Sequence, residues 1–448
     1  MLVLALASTL VVLLASYRIN DYDFWQHLLV GKVVWQTHAP PTTHLWTWPG
    51  QGRPDLDSSW GFEALLYAFH AAGGVLGLFV WRWWTALAAF GLALLAARRL
   101  GARGFSAVAV CMLAAVAARD RMEPRPETLA AVLLGTFVWI LERRRQGGGD
   151  ATWALPLLSL VWANCHISAF LGPLLVGLHA AWGSWEARGR SDVRPRRLWL
   201  VLFACVAAWF LNPFGARAVW EPFAFALEGR QHLVYRTIRE LQPVSLGERW
   251  RELIPAALLL WPALHLGRAL RGRWDPLEAA LLVAFSALGW SSVRFVGTYA
   301  VVMAPYAARA ACELLGSWRG SARWLSGRRG AVAAGTACVA MTLPTLTIRD
   351  PALGIGVMPR VQFPATCDFI ERHDVRGRMF NHFEMGGYLL WRLWPARLPF
   401  TDIHQAGRPE DLADYVMALF REDAWRRLDD RYRFDHVVLM REGASDSL

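Results

Sequence analysis

"LVLALASTLVVLLASY", residues 2–17, decides how the rest of the chain is read. The run carries no charged residue, and it is followed at once by the polar stretch "RINDYDFWQHLLVGK", residues 18–32. A bilayer core of about 30 Å takes roughly 20 helical residues, or fewer where polar ends reach the interface. Similar runs recur as "AAVLLGTFVWIL" at 130–141 and "LLVAFSALGW" at 281–290. The loops between such runs are too short to build separate soluble domains. The fold class expected is therefore an α-helical polytopic membrane protein with about 11 transmembrane helices and a small C-terminal α/β domain.

Spans are expected near 1–17, 74–97, 105–118, 127–141, 153–164, 168–184, 198–212, 253–267, 276–291, 296–313 and 331–347. "LAS" near residue 16 resembles a cleavage site, but there is no basic segment ahead of the run, so a retained first helix is expected. The alternate loops differ in charge. One set (98–104, 142–150, 185–197, 268–274, 315–330) holds 18 Arg against four acids. The other (18–59, 119–126, 165–167, 213–252, 292–295) holds 13 bases against 11 acids. The positive-inside rule makes the first set cytoplasmic. The N-terminus is then cytoplasmic, and the first outer loop (18–73) and the tail lie outside. "WGFEALLYAFHAA", 60–72, is read as an interfacial helix, with Gly73-Gly74 breaking it from the next span.

The formal charge of +11 suggests nucleic acid as a partner, but the arginines sit in short loops between apolar runs. That is a topology signal, so no nucleic-acid partner is expected. The six Cys are scattered without a CxxC, which implies neither a disulfide framework nor a zinc site. Domain 1–347 is the membrane part. The tail, 348–448, has frequent mixed charges: "MFNHF", "LPFTD" and "HVVLM" read as strands, and "ATCDFIERH", "GGYLLWRL" and "PEDLADYVMALFREDAWRRLDDRY" as helices.

Chemistry-bearing residues concentrate in the outer loops. Asp21 and Asp23 lie two apart, and His27 follows Asp23 by four, the spacing of one helix face. That pattern can orient a His, form an acid/base pair, or hold a divalent cation such as Mg or Mn through Asp23 and His27. Its bland counterpart is a solvated interfacial loop anchored by Trp25, Trp35, Trp46 and Trp48. Glu63 opens an apolar helix and fits N-terminal helix charge equally well. Arg121, Arg125 and Glu127 stand in "RDRMEPRPETL"; Arg125 can clamp phosphate or snorkel. His166, in "WANCHISAF", is packing glue or a substrate contact, and Arg294, in "WSSVRFVGTY", is an end residue or an anion ligand. Asn212 and Arg217 open the largest outer loop as a turn. In the tail, Asn381, His382 and Glu384 precede a Gly pair, and Asp402 and His404 end an expected strand.

Taken in order, "DYDFWQHLLVGK", "PDLDSSWGFEALLY", "RMEPRPETL", "WANCHISAFLG", "LNPFGARAVWEP", "VRFVGTYAVVMAP" and "RMFNHFEMGGYLLWRLWPARLPFTD" resemble the C-type glycosyltransferase superfamily of multi-spanning bacterial proteins. The resemblance covers most of the chain. It implies a polyprenyl-phosphate-linked sugar as donor and an acidic residue after the first span, Asp21 or Asp23, as the catalytic or metal-site position. It further implies His27 as orienter or proton relay. Trp25, Glu63, Arg125, His166 and Arg294 are the candidates for substrate contact. The chain departs from the superfamily's pattern twice. "TDIHQAGR" replaces an Asp-Gly-Arg type motif, and Gly61-Phe62 stand where a His-Glu pairing is often seen. The competing reading is a lipid or glycan transporter, or an envelope assembly scaffold, but no inverted repeat is evident.

Overall fold

The structure, a computed structural model, describes residues 1–188, 195–227, 239–247, 249–316, 327–347, 351–402 and 409–440. It is mostly helical, 70%, with few strands. Contacts divide the chain into two compact units, neither contiguous in sequence.

The first unit comprises Met1–Tyr17, Phe79–Asn212 and Arg239–Gly354. Its helices are α1 (Leu2–Leu14), the later part of α3 (Trp60–Arg99), α4 (Ser106–Ala117), α5 (Pro126–Arg145), α6 (Leu155–Ala163), α7 (Leu171–Glu186), α8 (Arg196–Trp209), α10 (Ile254–Ala269), α11 (Pro276–Ser291), α12 (Val296–Gly316) and α13 (Arg328–Leu346). α12 is the axis of this unit. It lies against α4, α5, α10 and α11, and it is buried almost continuously from Tyr299 to Ala310. Apart from Arg309, which is paired, its buried residues are small, apolar or aromatic all round the helix. Small residues set the close approaches: a Cβ on Gly289 would lie 2.9 Å from Leu258 Cδ2 and 3.1 Å from Tyr299 Cβ. α8 instead turns Trp199, Leu200, Phe203, Val206 and Phe210 outward. Two helices among the described residues, Trp60–Arg99 and Ile167–Glu186, are long and apolar enough to cross a membrane. Several others, such as Leu2–Leu14 and Ser106–Ala117, are shorter and apolar.

Two charged clusters are buried in this unit. Near the first helix, the Tyr17 ring lies between two guanidinium groups, Arg82 at 4.2 Å and Arg119 at 4.4 Å. Arg82 is wholly buried and donates to Met122 O (2.7 Å) and Tyr17 O (2.7 Å). The second cluster joins α5, α7, α10, α11 and α12. Tyr306 OH donates to Glu142 Oε1 at 2.9 Å, and His179 Nε2 lies 3.3 Å from the same oxygen. Arg145 grips both oxygens of Asp275 (2.9 and 3.0 Å), and Arg268 and Arg309 both pair with the buried Glu278.

The second unit comprises Arg18–Leu78, Pro213–Ile238 and Ile355–Leu448. It holds α2 (Phe24–Thr37), the start of α3, α9 (Ala216–Leu227), α14 (Pro364–Arg372), α15 (Gly386–Leu393), α16 (Pro409–Ala418) and α17 (Glu422–Tyr432). β1 (Met379–Asn381) and β2 (His436–Val438) pair in parallel, Phe380 opposite Val437. The helix in "WGFEALLYAFHAA" forms, and non-helical geometry falls at Gly74 (φ 56°), a conformation glycine adopts without a Cβ penalty.

Two tail expectations change. "LPFTD" is not a strand: the N–H groups of Phe400 and Thr401 donate to the Asn381 side chain (2.8 and 3.1 Å) instead of to a neighbouring strand. The long helix read over residues 409–432 is two helices, with Arg421 in extended geometry ahead of the second. His404 lies outside the described residues. The tryptophans of the first loop divide as well. Trp35 is 54% exposed, but Trp46 is buried in the core with Val30, Val34 and Leu390. Trp48 packs against Phe400 and Phe434 and donates to Met379 O at 3.0 Å.

Candidate functional site

The polar residues of the opening motif are organised by α2. Asp21 Oδ1 accepts the Asp23 N–H at 3.1 Å, a local turn that delivers the chain into the helix with Asp23 as N-cap residue. From Phe24 to Gly31 every residue of α2 is buried. Its polar side chains therefore need partners, because an unpaired buried polar group costs about 1–3 kcal/mol.

His27 finds one in Glu63. Nδ1 lies 2.7 Å from Glu63 Oε1, and Glu63 is completely buried. The reason these two meet is Gly31, one helical turn after His27 on the same face. A Cβ at Gly31 would sit 2.1 Å from the Glu63 carbonyl oxygen and 2.8 Å from Tyr67 Cβ. Glycine lets the α2 and α3 backbones touch, and that contact carries His27 onto Glu63. Glu63 is thus more than helix-end charge. An ionised carboxylate only accepts, so where Glu63 is ionised Nδ1 is the donor of this contact.

Gln26 points to another acid. Its Nε2 donates to Asp402 Oδ2 at 2.7 Å, and Asp402 is fully buried. Asp402 Oδ1 has no hydrogen-bond partner among the described residues. Asn381 holds the segment that bears it: besides accepting two N–H groups, it donates to Thr401 O at 2.9 Å. Gly386 permits the tight turn, since a Cβ there would lie 2.7 Å from Thr401 O. Trp25 donates to Val361 O (2.8 Å) and meets the Tyr388 ring edge-on at 5.1 Å. The second unit therefore brings together Asp21, Asp23, Trp25, His27 and Glu63, with Gln26 and Asp402 added.

Arg125, His166 and Arg294 belong to the first unit. Arg125 is the N-cap residue of α5, ahead of Pro126 at the first helical position. Arg294 rides on the short turn Val293–Phe295, capped by Ser292, whose Oγ accepts the Arg294 N–H at 3.2 Å. Arg125 and Arg121 both donate to Glu240 Oε2 (3.0 and 2.8 Å), and Arg294 stands 3.8 Å from Oε1. Burial pushes the Glu240 carboxyl up, but Arg125, Arg121 and Arg294 outweigh it and hold it well below the usual carboxylate range. Glu127 lies 3.6 Å from Arg121. His166 Nδ1 bonds Ser168 Oγ at 2.6 Å and caps the turn Ile167–Phe170. Beside the arginines is a small cleft of about 40 Å³, lined by Arg121, Glu127 and Arg294 and walled by Ala86, Phe90 and Val301 among others.

The sequence reading passed over Glu240, Gln26 and the burial of Glu63. Glu240 sits among five acids in a forty-residue loop, and no spacing marks it out. Among the described residues no three or more His, Cys, Asp or Glu side chains gather in a group that could hold a metal ion. Comparison with known proteins finds no family model that matches the chain and no curated protein that matches it.

Proposed function

We propose that this chain is a polytopic membrane glycosyltransferase of the C-type kind, taking a sugar from a polyprenyl-phosphate donor to an envelope acceptor on the outer face of a bacterial inner membrane. The observation that carries the reading is the buried His27–Glu63 pair, one helical turn from Asp23. It supplies a His fixed in ring orientation beside an acid at a helix start. The outward apolar face of α8 and the length of Trp60–Arg99 support the bilayer setting.

In the reaction proposed, an acceptor hydroxyl attacks the anomeric carbon, the bond from that carbon to the phosphate oxygen breaks, and the hydroxyl proton goes to a carboxylate. Asp21 is almost fully buried and spends one oxygen on the Asp23 N–H, so Asp23 is the base assigned. His27 relays the proton through Nε2, and Glu63 orients it. Trp25 is assigned to sugar contact and His166 to positioning in its own unit. Arg125 and Arg294 are assigned to phosphate binding within the first unit. Among the described residues no third His, Cys, Asp or Glu joins Asp23 and His27 in a group that could hold an Mg or Mn ion, and no step here is routed through one.

The test offers labelled polyprenyl-phosphate sugars to the purified full chain in proteoliposomes, with Asp23→Asn as control. Loss of transfer with donor binding retained is expected. Equal transfer by variant and wild type removes Asp23 from the mechanism. Donor binding with no transfer from any sugar favours a carrier or scaffold.

A further inference from the structure

We infer that Glu240 occupies the place of a ligand phosphate, and that a phosphate-bearing amphiphile binds the first unit by exchange, taking Arg121, Arg125 and Arg294 while the Glu240 carboxylate leaves them. The inference rests on the proposed function only in taking the ligand to carry phosphate; it adds how that group enters and what holds its place beforehand.

Three features carry it. First, three guanidinium groups converge on one carboxylate, and among the described residues Glu127 is the other acid paired with them, three cations against two acids. A phosphate monoester, with a charge of about −1.5 to −2 and three acceptor oxygens, matches that surplus better than a carboxylate does. Second, Arg121 Nε is buried with no hydrogen-bond partner among the described residues, an unused donor in the wall of the cleft. Third, the cleft is polar where Arg121 and Arg294 stand and apolar along Ala86, Ala89, Phe90 and Val301. That division suits an anionic head with an apolar group next to it.

The backbone at Glu240 makes exchange a side-chain event. Ser292 Oγ donates to Glu240 O at 2.8 Å, and the Val293 N–H donates to Gln242 O at 3.0 Å. With the main chain pinned at both points, the carboxylate can rotate away without unfolding the turn Arg239–Leu241. The exchange makes and breaks no covalent bond.

The experiment titrates farnesyl phosphate into the full chain in dodecyl maltoside, with farnesol and inorganic phosphate as comparators. Glu240→Gln removes the competing charge and should bind farnesyl phosphate roughly tenfold tighter than wild type, the scale of one charge-assisted hydrogen bond. Equal or weaker binding by a folded Glu240→Gln overturns the inference. A second reading needs no variant: carbodiimide coupling of glycine ethyl ester to Glu240, followed by mass spectrometry, should rise when farnesyl phosphate saturates wild type and stay flat with farnesol. No rise at saturation overturns it too. Farnesyl phosphate binding at least tenfold tighter than inorganic phosphate assigns the place to a lipid-borne phosphate; equal affinities assign it to free phosphate, with exchange retained. Because turnover is not read, exchange without sugar transfer keeps this inference and removes only the transferase. Sugar transfer with unchanged Glu240→Gln affinity does the reverse.

Discussion

The contact between His27 and Glu63 can be weighed by a double-mutant cycle of His27→Ala, Glu63→Ala and both together. Glu63 is fully buried and His27 is 8% exposed, so water cannot replace either partner when the other is lost. Removing Glu63 takes the acceptor from a buried ring nitrogen, and leaving a buried polar group unsatisfied costs about 1–3 kcal/mol. The double variant should cost less than the sum of the singles, because each single already forfeits the contact. A hydrogen bond to a charged group is worth about 1.5–3 kcal/mol, so the coupling energy should fall in that range. Glu63→Gln keeps an acceptor at the same place and should lose only about 1–2 kcal/mol. The assay is equilibrium unfolding of the full chain in mixed micelles, followed by far-ultraviolet circular dichroism. Single-variant losses that add to within about 0.5 kcal/mol of the double would mean the two side chains do not interact, and the orientation argued for His27 would go with that result.

Gly31→Ala should be among the most damaging small substitutions in the second unit. Its Cβ would enter within 2.1 Å of a backbone oxygen that cannot swing aside, so a loss of about 3 kcal/mol or more in the same unfolding assay is expected, with sugar transfer falling alongside. Arg82→Met removes two buried hydrogen bonds and one of the two cations on the Tyr17 ring; about 3–5 kcal/mol should be lost, without any change in ligand affinity in a protein that still folds. Glu240 gives a pH signature. Its folded carboxyl titrates below the ordinary value of 4.5, so its stabilising contacts are complete above that value and are lost as pH falls through the folded one. The gap in thermal midpoint between wild type and Glu240→Gln, with wild type higher, should hold steady from about pH 8 to pH 5 and narrow only in stronger acid.

Much of the helical architecture was legible because apolar runs and Gly breaks are local signals. The break at Gly74 and the start of α5 behind Arg125-Pro126 follow from a few adjacent residues. Asp21, Asp23 and His27 were visible for the same reason. Their partners were not, because partnership depends on which backbones can touch. Nothing near Gly31 in sequence announces Glu63, thirty-two positions on, and nothing near Gln26 announces Asp402. The strand read in "LPFTD" failed through a competitor that propensity ignores: a side-chain amide, Asn381, took the hydrogen bonds a strand would have given its neighbour. Charge counting by loop treated Arg145 and Arg268 as topology signals, whereas each is also one half of a pair with an acid on another helix.

The cluster around Glu278 sets a condition on the order in which the chain is made. Glu142 and Arg145 emerge together, 3.6 Å apart on one helix, and can screen each other at once. Arg268 precedes Glu278 by ten residues and can wait beside it, but Arg309 follows by thirty-one. A nascent chain that has completed α11 and not α12 holds Asp275 and Glu278 short of one cation. Arg309 therefore supplies a counter-charge that Asp275 and Glu278 lack until α12 packs against α11, so docking of those two helices and closure of the charge cluster are one event.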